Sequence, residues 1–390
     1  MTVARATDRP LRITILGLSI TSSWGNGHAT IFRALVRALV RRGHEVCFLE
    51  RDVPWYAANR DLGAPQRDVY GRVHLYRDLT ELRERHTEAV RDADLAIVGS
   101  YVPDGVDVGE WVMRTASGVR AFYDIDTPIT LAKLERGEEE YISAELLRRY
   151  DVYFTFTGGP VLEQLRTRWD AARVQPLYCC VDPQHYYPEP IAREQDVDLG
   201  YMGTYSADRQ PKLERMLIEP ARHMSAGRFV VAGPQYPETI AWPANVRRIE
   251  HLPPDAHRAF YHRQRFTLNL TRDAMVATGH APSVRLFEAA ACGTPVISDS
   301  WAGLETFFKP GEEILVAEEA SDVHRYLEEL DESTRRAIGE RARQRVLAEH
   351  TAEHRARQIE RQVRTLAWSE KSHVFGSDDG GEAVHPRLEI

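Results

Sequence analysis

The sequence predicts an α/β protein made of two doubly wound domains in series, each a parallel sheet covered by helices on both faces. Three observations lead there. The chain is 390 residues long, too long for one core of ordinary size, which favours two units of roughly 150–200 residues. Short apolar runs alternate with longer segments of helical period, the pattern of right-handed crossovers between parallel strands. The alternation breaks once, across residues 183–190, where three prolines stand without periodicity, and then restarts.

The elements follow in order. Leu11–Gly17 reads as the first strand, and Ile31, Leu35, Ala38 and Leu39 then share one helical face until Gly43 ends the turn. Glu45–Glu50 is the next strand, with others at Leu95–Gly99, Arg120–Asp124, Val152–Phe156 and Arg173–Leu177. Beyond the break, strands are expected at Asp198–Gly203, Phe229–Ala232, Arg248–Leu252, Phe266–Leu270, Val296–Ser298 and Ile314–Val316. Residues 321–368 are almost wholly helical. The expected division is 1–185, with 1–10 flexible, then 186–350, a helical segment 351–369, and a disordered tail 370–390 containing GSDDGG.

Composition narrows the partners. Apolar residues make up 43% and charged residues 28%, as in soluble globular proteins. The net charge of −8 provides no basic field for nucleic acid or anionic lipid. Cys47, Cys179, Cys180 and Cys292 lack metal spacing, which fits a reduced, cytoplasmic protein. No apolar run reaches membrane-span length, so no integral membrane segment is expected.

The most informative stretch is APSVRLFEAAACGTPVISDS, residues 281–300. Ser283 is a good N-cap and Gly293 a good stop, which frames a nine-residue helix, Val284–Cys292. The free amides at Ser283, Val284 and Arg285, with the positive end of the helix dipole, make a phosphate site, and Arg285 adds a cation. Glu288 stands one turn further in, where a carboxylate can accept two ribose hydroxyls. Alternatively, Glu288 pairs with Arg285 and the serine only caps.

These residues carry a resemblance. SVRLFEAAACGTPVIS followed by WAGLETFFKPGEEILV resembles the donor-binding half of GT-B glycosyltransferases. CVDPQHYYP is similar to the segment by which those enzymes enter their second domain, and LGYMGTYSADRQPKLE to the first strand and loop after it. The combination of FYDIDTP, GTYSADR and PSVRLFEAAACG most resembles the spore-maturation CgeB-like glycosyltransferases. The resemblance implies a central cleft, a nucleotide-sugar donor held by the second domain, an acceptor substrate held by the first, and a C-terminal helix crossing back to the first domain. In it, Glu288 holds the ribose and Ser283 and Val284 the diphosphate. Gly203, Thr204, Tyr205 and Arg209 close over the diphosphate, while His251 and Leu252 border the nucleobase. His280 stands where many retaining members carry a further glutamate, which allows a sugar contact and puts a retaining outcome in doubt.

In the first domain, WGNGHAT places Gly25, Asn26 and Gly27 where backbone can approach a ligand. His28 resembles the histidine of inverting enzymes that serves as general base, and a pKa of about 6.5 suits that task. A histidine that only caps or packs is the alternative. Asp124-Ile125-Asp126 formally matches the metal motif of the other large glycosyltransferase fold, but the resemblance implies no metal and no cofactor beyond the co-substrate. Asp126, ahead of Asp124, is the candidate for a contact to the acceptor substrate or an alternative base; a turn role is as good a reading. The activity implied is glycosyl transfer to a hydroxyl, on a surface or spore glycan or a small natural product. A nucleotide-sugar epimerase and a non-catalytic nucleotide-sugar binder are the other readings.

Overall fold

The computed structural model describes residues 9–63, 68–189 and 195–375. The first sheet contains β1 (Arg12–Gly17), β2 (Glu45–Arg51), β3 (Arg72–Tyr76), β4 (Leu95–Gly99), β5 (Val119–Asp124), β6 (Val152–Thr155) and β7 (Val174–Pro176), in the order β3-β2-β1-β4-β5-β6-β7. The second contains β8 (Val197–Met202), β9 (Phe229–Ala232), β10 (Val246–Ile249), β11 (Gln264–Asn269), β12 (Val296–Ser298) and β13 (Leu315–Val316), in the order β10-β9-β8-β11-β12-β13. Neighbouring strands pair in parallel, as Ile13↔Val46 and Phe266↔Leu199 illustrate. Two doubly wound α/β domains are therefore present.

Central strands are buried on both faces and so read as continuous apolar runs, with Ile13, Ile15 and Leu16 of β1 at most 1% exposed. Edge strands read differently. β3, RVHLY, has no place among the expected strands because its arginine and histidine alternate with apolar residues, and only Tyr76 is fully buried. The strand expected at 248–252 lies instead at Val246–Ile249, also at an edge, where burial covers only its first residue.

Helix α1 (Gly27–Arg41) starts at Asn26, whose side chain accepts from the His28 amide at 3.0 Å, and buries Ile31, Leu35, Ala38 and Leu39. Two short helices matter for the cleft: α2 (Pro54–Ala58) and α3 (Asp273–Thr278). Helix α4 (Val284–Ala291) is one residue shorter than expected. Cys292 is its C-cap, and Gly293 follows with φ 75°. Its alanines permit close packing by the helix Glu332–Glu349, where a Cβ on Gly339 would stand 2.2 Å from the Gly293 carbonyl.

The last helix, α5 (Ala352–Phe375), returns to the first domain and lies on α1 and β5. The chain crosses between domains twice, side by side: the Val181 amide donates to His350 O (3.2 Å) and the Ala352 amide to Val181 O (2.8 Å). Arg42 then pairs with Glu353 and Glu360, and His44 Nε2 lies 2.6 Å from Glu360. The helix continues to Phe375, so residues 370–375 are helical rather than part of a disordered tail. Residues 1–8 and 376–390, the rest of the expected flexible ends, lie outside the described residues. Among the described residues, no helix is long and apolar enough to cross a membrane.

Candidate active site in the interdomain cleft

In each sheet the strand order reverses once, between β1 and β4 and between β8 and β11. Ligands of open parallel sheets bind beyond the carboxyl ends of the strands at such a point. The loops after these strands meet across a cleft and enclose a cavity of about 430 Å³.

The second-domain wall is carried largely by α4. Ser283 caps the helix by accepting from the Arg285 amide at 3.3 Å, so that amide turns inward, while Val284 lines the cavity. The Arg285 guanidinium bonds to Asn269 Oδ1 and Ser283 Oγ, both at 3.2 Å, and lies 5.2 Å from the Tyr201 ring. Arg209 reaches in from the loop after β8 and donates to Thr204 O at 2.8 Å. The buried Nε atoms of Arg209 and Arg285 have no partner among the described residues.

Space for these arginines is made by glycine. A Cβ on Gly203 would sit 3.0 Å from Arg285 Nη2, and one on Gly233 would meet Gly203 O at 2.0 Å. Ala232, Gly233, Pro234, His251 and Leu252 continue the wall.

Glu288 is 2% exposed, and that exposure opens on the cavity. Burial raises its pKa to about 7, against the opposing pull of the Tyr186 and Tyr261 hydroxyls and of Arg285. Tyr261 donates to Oε2 at 3.0 Å. His257 lies 3.8 Å from the same oxygen, and burial lowers its pKa to about 4, so it is neutral at pH 7. Its Nε2 lies 3.1 Å from Leu252 O, which can only accept, so Nδ1 is left to accept from the Tyr186 hydroxyl at 3.1 Å.

The first-domain wall is built from loops. Glu50, buried at the end of β2, accepts from the amides of Ile20 and Thr21 and from the hydroxyls of Ser19 and Thr21, which fixes the loop that leads to Gly25, Asn26, Gly27 and His28. His28 Nε2 lies 3.8 Å from Asp126 Oδ2, an electrostatic contact rather than a hydrogen bond. Tyr101 donates to the same oxygen at 3.0 Å. Burial would raise the Asp126 pKa, but the His28 ring, Arg272 and Tyr101 hold it below the ordinary carboxylate value. Asp126 is thus ionised beside a histidine whose Nδ1 has no partner among the described residues.

Comparisons with known proteins fit this geometry. Residues 209–361 match the family described as glycosyl transferase-like. No curated protein matches the sequence. Among solved structures, the chain is similar to sucrose-phosphate synthase from Thermosynechococcus elongatus, with 17% identity and a TM-score of 0.65 over 92% of this chain and 99% of that one. It is also similar to HepE of Anabaena in complex with UDP and glucose (11% identity, TM-score 0.67, 91% and 100% covered). An alpha-glucosyltransferase in complex with UDP-glucose and DNA gives 12% identity and a TM-score of 0.66, with 91% and 100% covered. The fold is GT-B.

Within that GT-B frame the expected residues separate into two groups. Gly25, Asn26, Gly27, His28, Asp126, Gly203, Thr204, Arg209, His251, Leu252, Val284, Arg285 and Glu288 line the one cavity, and Ser283 faces an adjoining chamber. Three do not reach it. Asp124 is fully buried under the cleft, where its carboxylate accepts from the hydroxyls of Tyr153 and Thr130 (2.9 Å to the latter). Burial raises its pKa to about 6, and its hydrogen bonds tie it to the turn after β5 rather than to the cavity. Tyr205 lies against Tyr236, with ring centroids 5.6 Å apart, instead of covering the cavity.

His280 is an interdomain strut. It adopts φ 49° and accepts at its carbonyl from the Gly158 amide (2.9 Å), with its ring lodged between Gly159 and Gly303. Only glycine leaves room there: a Cβ on either would stand 2.2 or 2.3 Å from the ring.

Other residues in and directly behind the cavity wall escaped the sequence reading. His257 and Tyr261 flank Glu288, and their only sequence signal is i, i+4 spacing within the helix Pro254–His262. Tyr101, in the loop after β4, carries none, whereas Tyr56, in α2, belongs to one of the two aromatic pairs, Trp55-Tyr56 and Tyr186-Tyr187, that the sequence offers for stacking on a sugar. Tyr186, readable as a sugar-stacking residue, is 5% exposed and packs beneath Glu288 instead.

Proposed function

We propose that the protein transfers a glycosyl group from a nucleoside-diphosphate sugar to a hydroxyl of an acceptor substrate. The observation that carries this is the convergence of Val284, Arg285 and Glu288 from one domain with His28 and Asp126 from the other on a single cavity. The solved structures that share the fold include complexes with UDP and with UDP-glucose, which supports the donor class.

In this reading the α4 amino end, Arg285 and Arg209 hold the diphosphate without a metal, and Glu288 receives ribose hydroxyls. The acceptor oxygen forms a bond to the anomeric carbon as the bond from that carbon to the diphosphate oxygen breaks. The electron pair leaves with the diphosphate, where the arginines stabilise the growing charge. The acceptor proton passes to His28, and Asp126 stabilises the imidazolium. Four free, buried cysteines fit a cytoplasmic setting. The reading extends to a CgeB-like enzyme on the strength of the motifs FYDIDTP, GTYSADR and PSVRLFEAAACG.

The test is calorimetric titration with UDP, GDP and dTDP, followed by incubation of the tightest-binding nucleotide's sugars with and without acceptor substrates. Nucleotide binding with acceptor-dependent release of the diphosphate is expected. Turnover of donor alone to an epimer would instead establish isomerisation, and binding without any turnover a sensor.

A further inference from the structure

A second chamber of about 220 Å³ opens from the main cavity and shares Gly27, His28, Asp126, Arg209 and Val284 with it. Its lining includes Pro282, Ser283 and Val284 at the α4 amino end and none of Glu288, His251 and Leu252, so in the proposed binding mode a group on the far phosphate would point into it. At that volume it is below the roughly 300 Å³ of small drug-sized pockets, which limits it to about one ring.

Its walls are unusual for a hexose site. Ile31, Ile125 and Phe156 face it from the first domain, and Leu270, Met275 and Ala281 from the second. On the second-domain side Thr271, Ser283 and Pro282 are already engaged, while the buried Nε atoms of Arg209 and Arg272 have no partner among the described residues. Thr271 donates its hydroxyl to Asp299 at 2.8 Å, and Ser283 Oγ accepts from both the amide and the guanidinium of Arg285. The Pro282 carbonyl accepts from Cys179 Sγ at 3.2 Å. Arg272 stands between Asp208 (3.9 Å) and Asp126 (4.0 Å), which balance its charge and disfavour a sugar carboxylate. Polar side chains able to meet ring hydroxyls are therefore Thr157, His28 and Asp126 on the opposite wall together with Arg209 and Arg272, which leaves Leu270, Met275 and Ala281 as the apolar stretch of the second-domain wall.

We infer that this chamber receives the donor's glycosyl group and selects a deoxy sugar, whose missing hydroxyl faces the Leu270, Met275 and Ala281 wall, over a fully hydroxylated hexose. The inference rests on the proposed glycosyl transfer. A hydroxyl pressed on that wall would leave water without a new partner, a loss that an apolar pocket turns into discrimination of roughly 10- to 100-fold.

The test compares glucose, 6-deoxyglucose, 2-deoxyglucose and glucuronate, all carried on UDP and on dTDP, by calorimetry with the full chain. At least one deoxy sugar should bind about 10-fold or more tighter than its glucose counterpart on the same nucleotide. Met275→Gln, which offers the wall a polar partner, should bring that ratio close to one while the affinity for the sugar-free diphosphate stays unchanged. Equal binding, preference for glucose or glucuronate, or a ratio untouched by Met275→Gln would overturn the inference and leave glycosyl transfer standing. If UDP, dTDP and GDP all failed to bind, the underlying reading would fall with it.

Discussion

The two walls of the cleft are built on different plans. The wall of the second domain, proposed to hold the donor, hangs on one short helix, so that Ser283, Val284, Arg285 and Glu288 fall within six consecutive positions, and its charge is cationic around a buried acid. The facing wall of the first domain draws His28, Tyr56, Tyr101 and Asp126 from four separate segments that follow four different strands, and its charge is a single aspartate kept ionised beside a histidine. A helix end supplies binding groups at fixed spacing, which suits an invariant diphosphate. Loops on a rigid sheet can be exchanged one by one, which suits an acceptor substrate that differs between enzymes.

If the walls divide the labour in this way, their variants should separate chemistry from binding. The largest effect belongs to His28→Ala, which should lower kcat by about 10²–10⁴-fold while the nucleoside-diphosphate affinity stays within about twofold; a parallel loss of affinity would merge the two walls. Arg285→Met should reduce kcat by about 10²–10³-fold and weaken the diphosphate as well, since this residue serves both ground and transition states. A variant with unchanged turnover would remove Arg285 from the reaction.

Glu288 gives a sharper contrast because its pKa is raised from 4.5 to about 7. The folded protein then holds a proton that the unfolded chain releases, so the stabilisation is complete below about pH 4.5 and is lost as pH rises toward about 7. With about 1.4 kcal/mol per unit, wild-type stability should fall by a few kcal/mol relative to Glu288→Gln between pH 4.5 and 7, measured by denaturant titration. Nucleotide affinity should move the other way, rising over the upper part of that range in the wild type and less in the variant, because the ionised carboxylate accepts better. The smallest effect is Ser283→Ala, which should cost about 1 kcal/mol through loss of the cap and should leave His28-dependent chemistry intact.

The same difference in plan explains what the sequence disclosed. Glu288 and its helix were readable because the cap, the stop glycine and the acid are adjacent in the chain. Tyr101 was not, because its hydroxyl reaches Asp126 only after β4 and β5 pair in the sheet. Asp124 and Asp126 would share a face of a continuous strand, yet β5 ends at Asp124, and the turn that follows leaves one beneath the sheet end with Tyr153 and Thr130 and carries the other into the cleft. His280 occupies a motif position, but its place is set by two glycines remote in sequence, Gly159 and Gly303, that grip its ring. β3 was hidden for a related reason: an edge strand needs no continuous apolar run, so RVHLY carries too little pattern to be read.

The central claim is that Glu288 clasps the ribose while the neighbouring helix end holds the diphosphate. It is tested most directly by titrating wild type and Glu288→Gln with the tightest-binding nucleoside diphosphate and with its 2′,3′-dideoxy form. Loss of the two hydroxyls should weaken binding to the wild type by about 10-fold or more, as expected for hydrogen bonds to a charged group, and should hardly affect the variant. An equal loss in both proteins would place the ribose elsewhere and contradict the account.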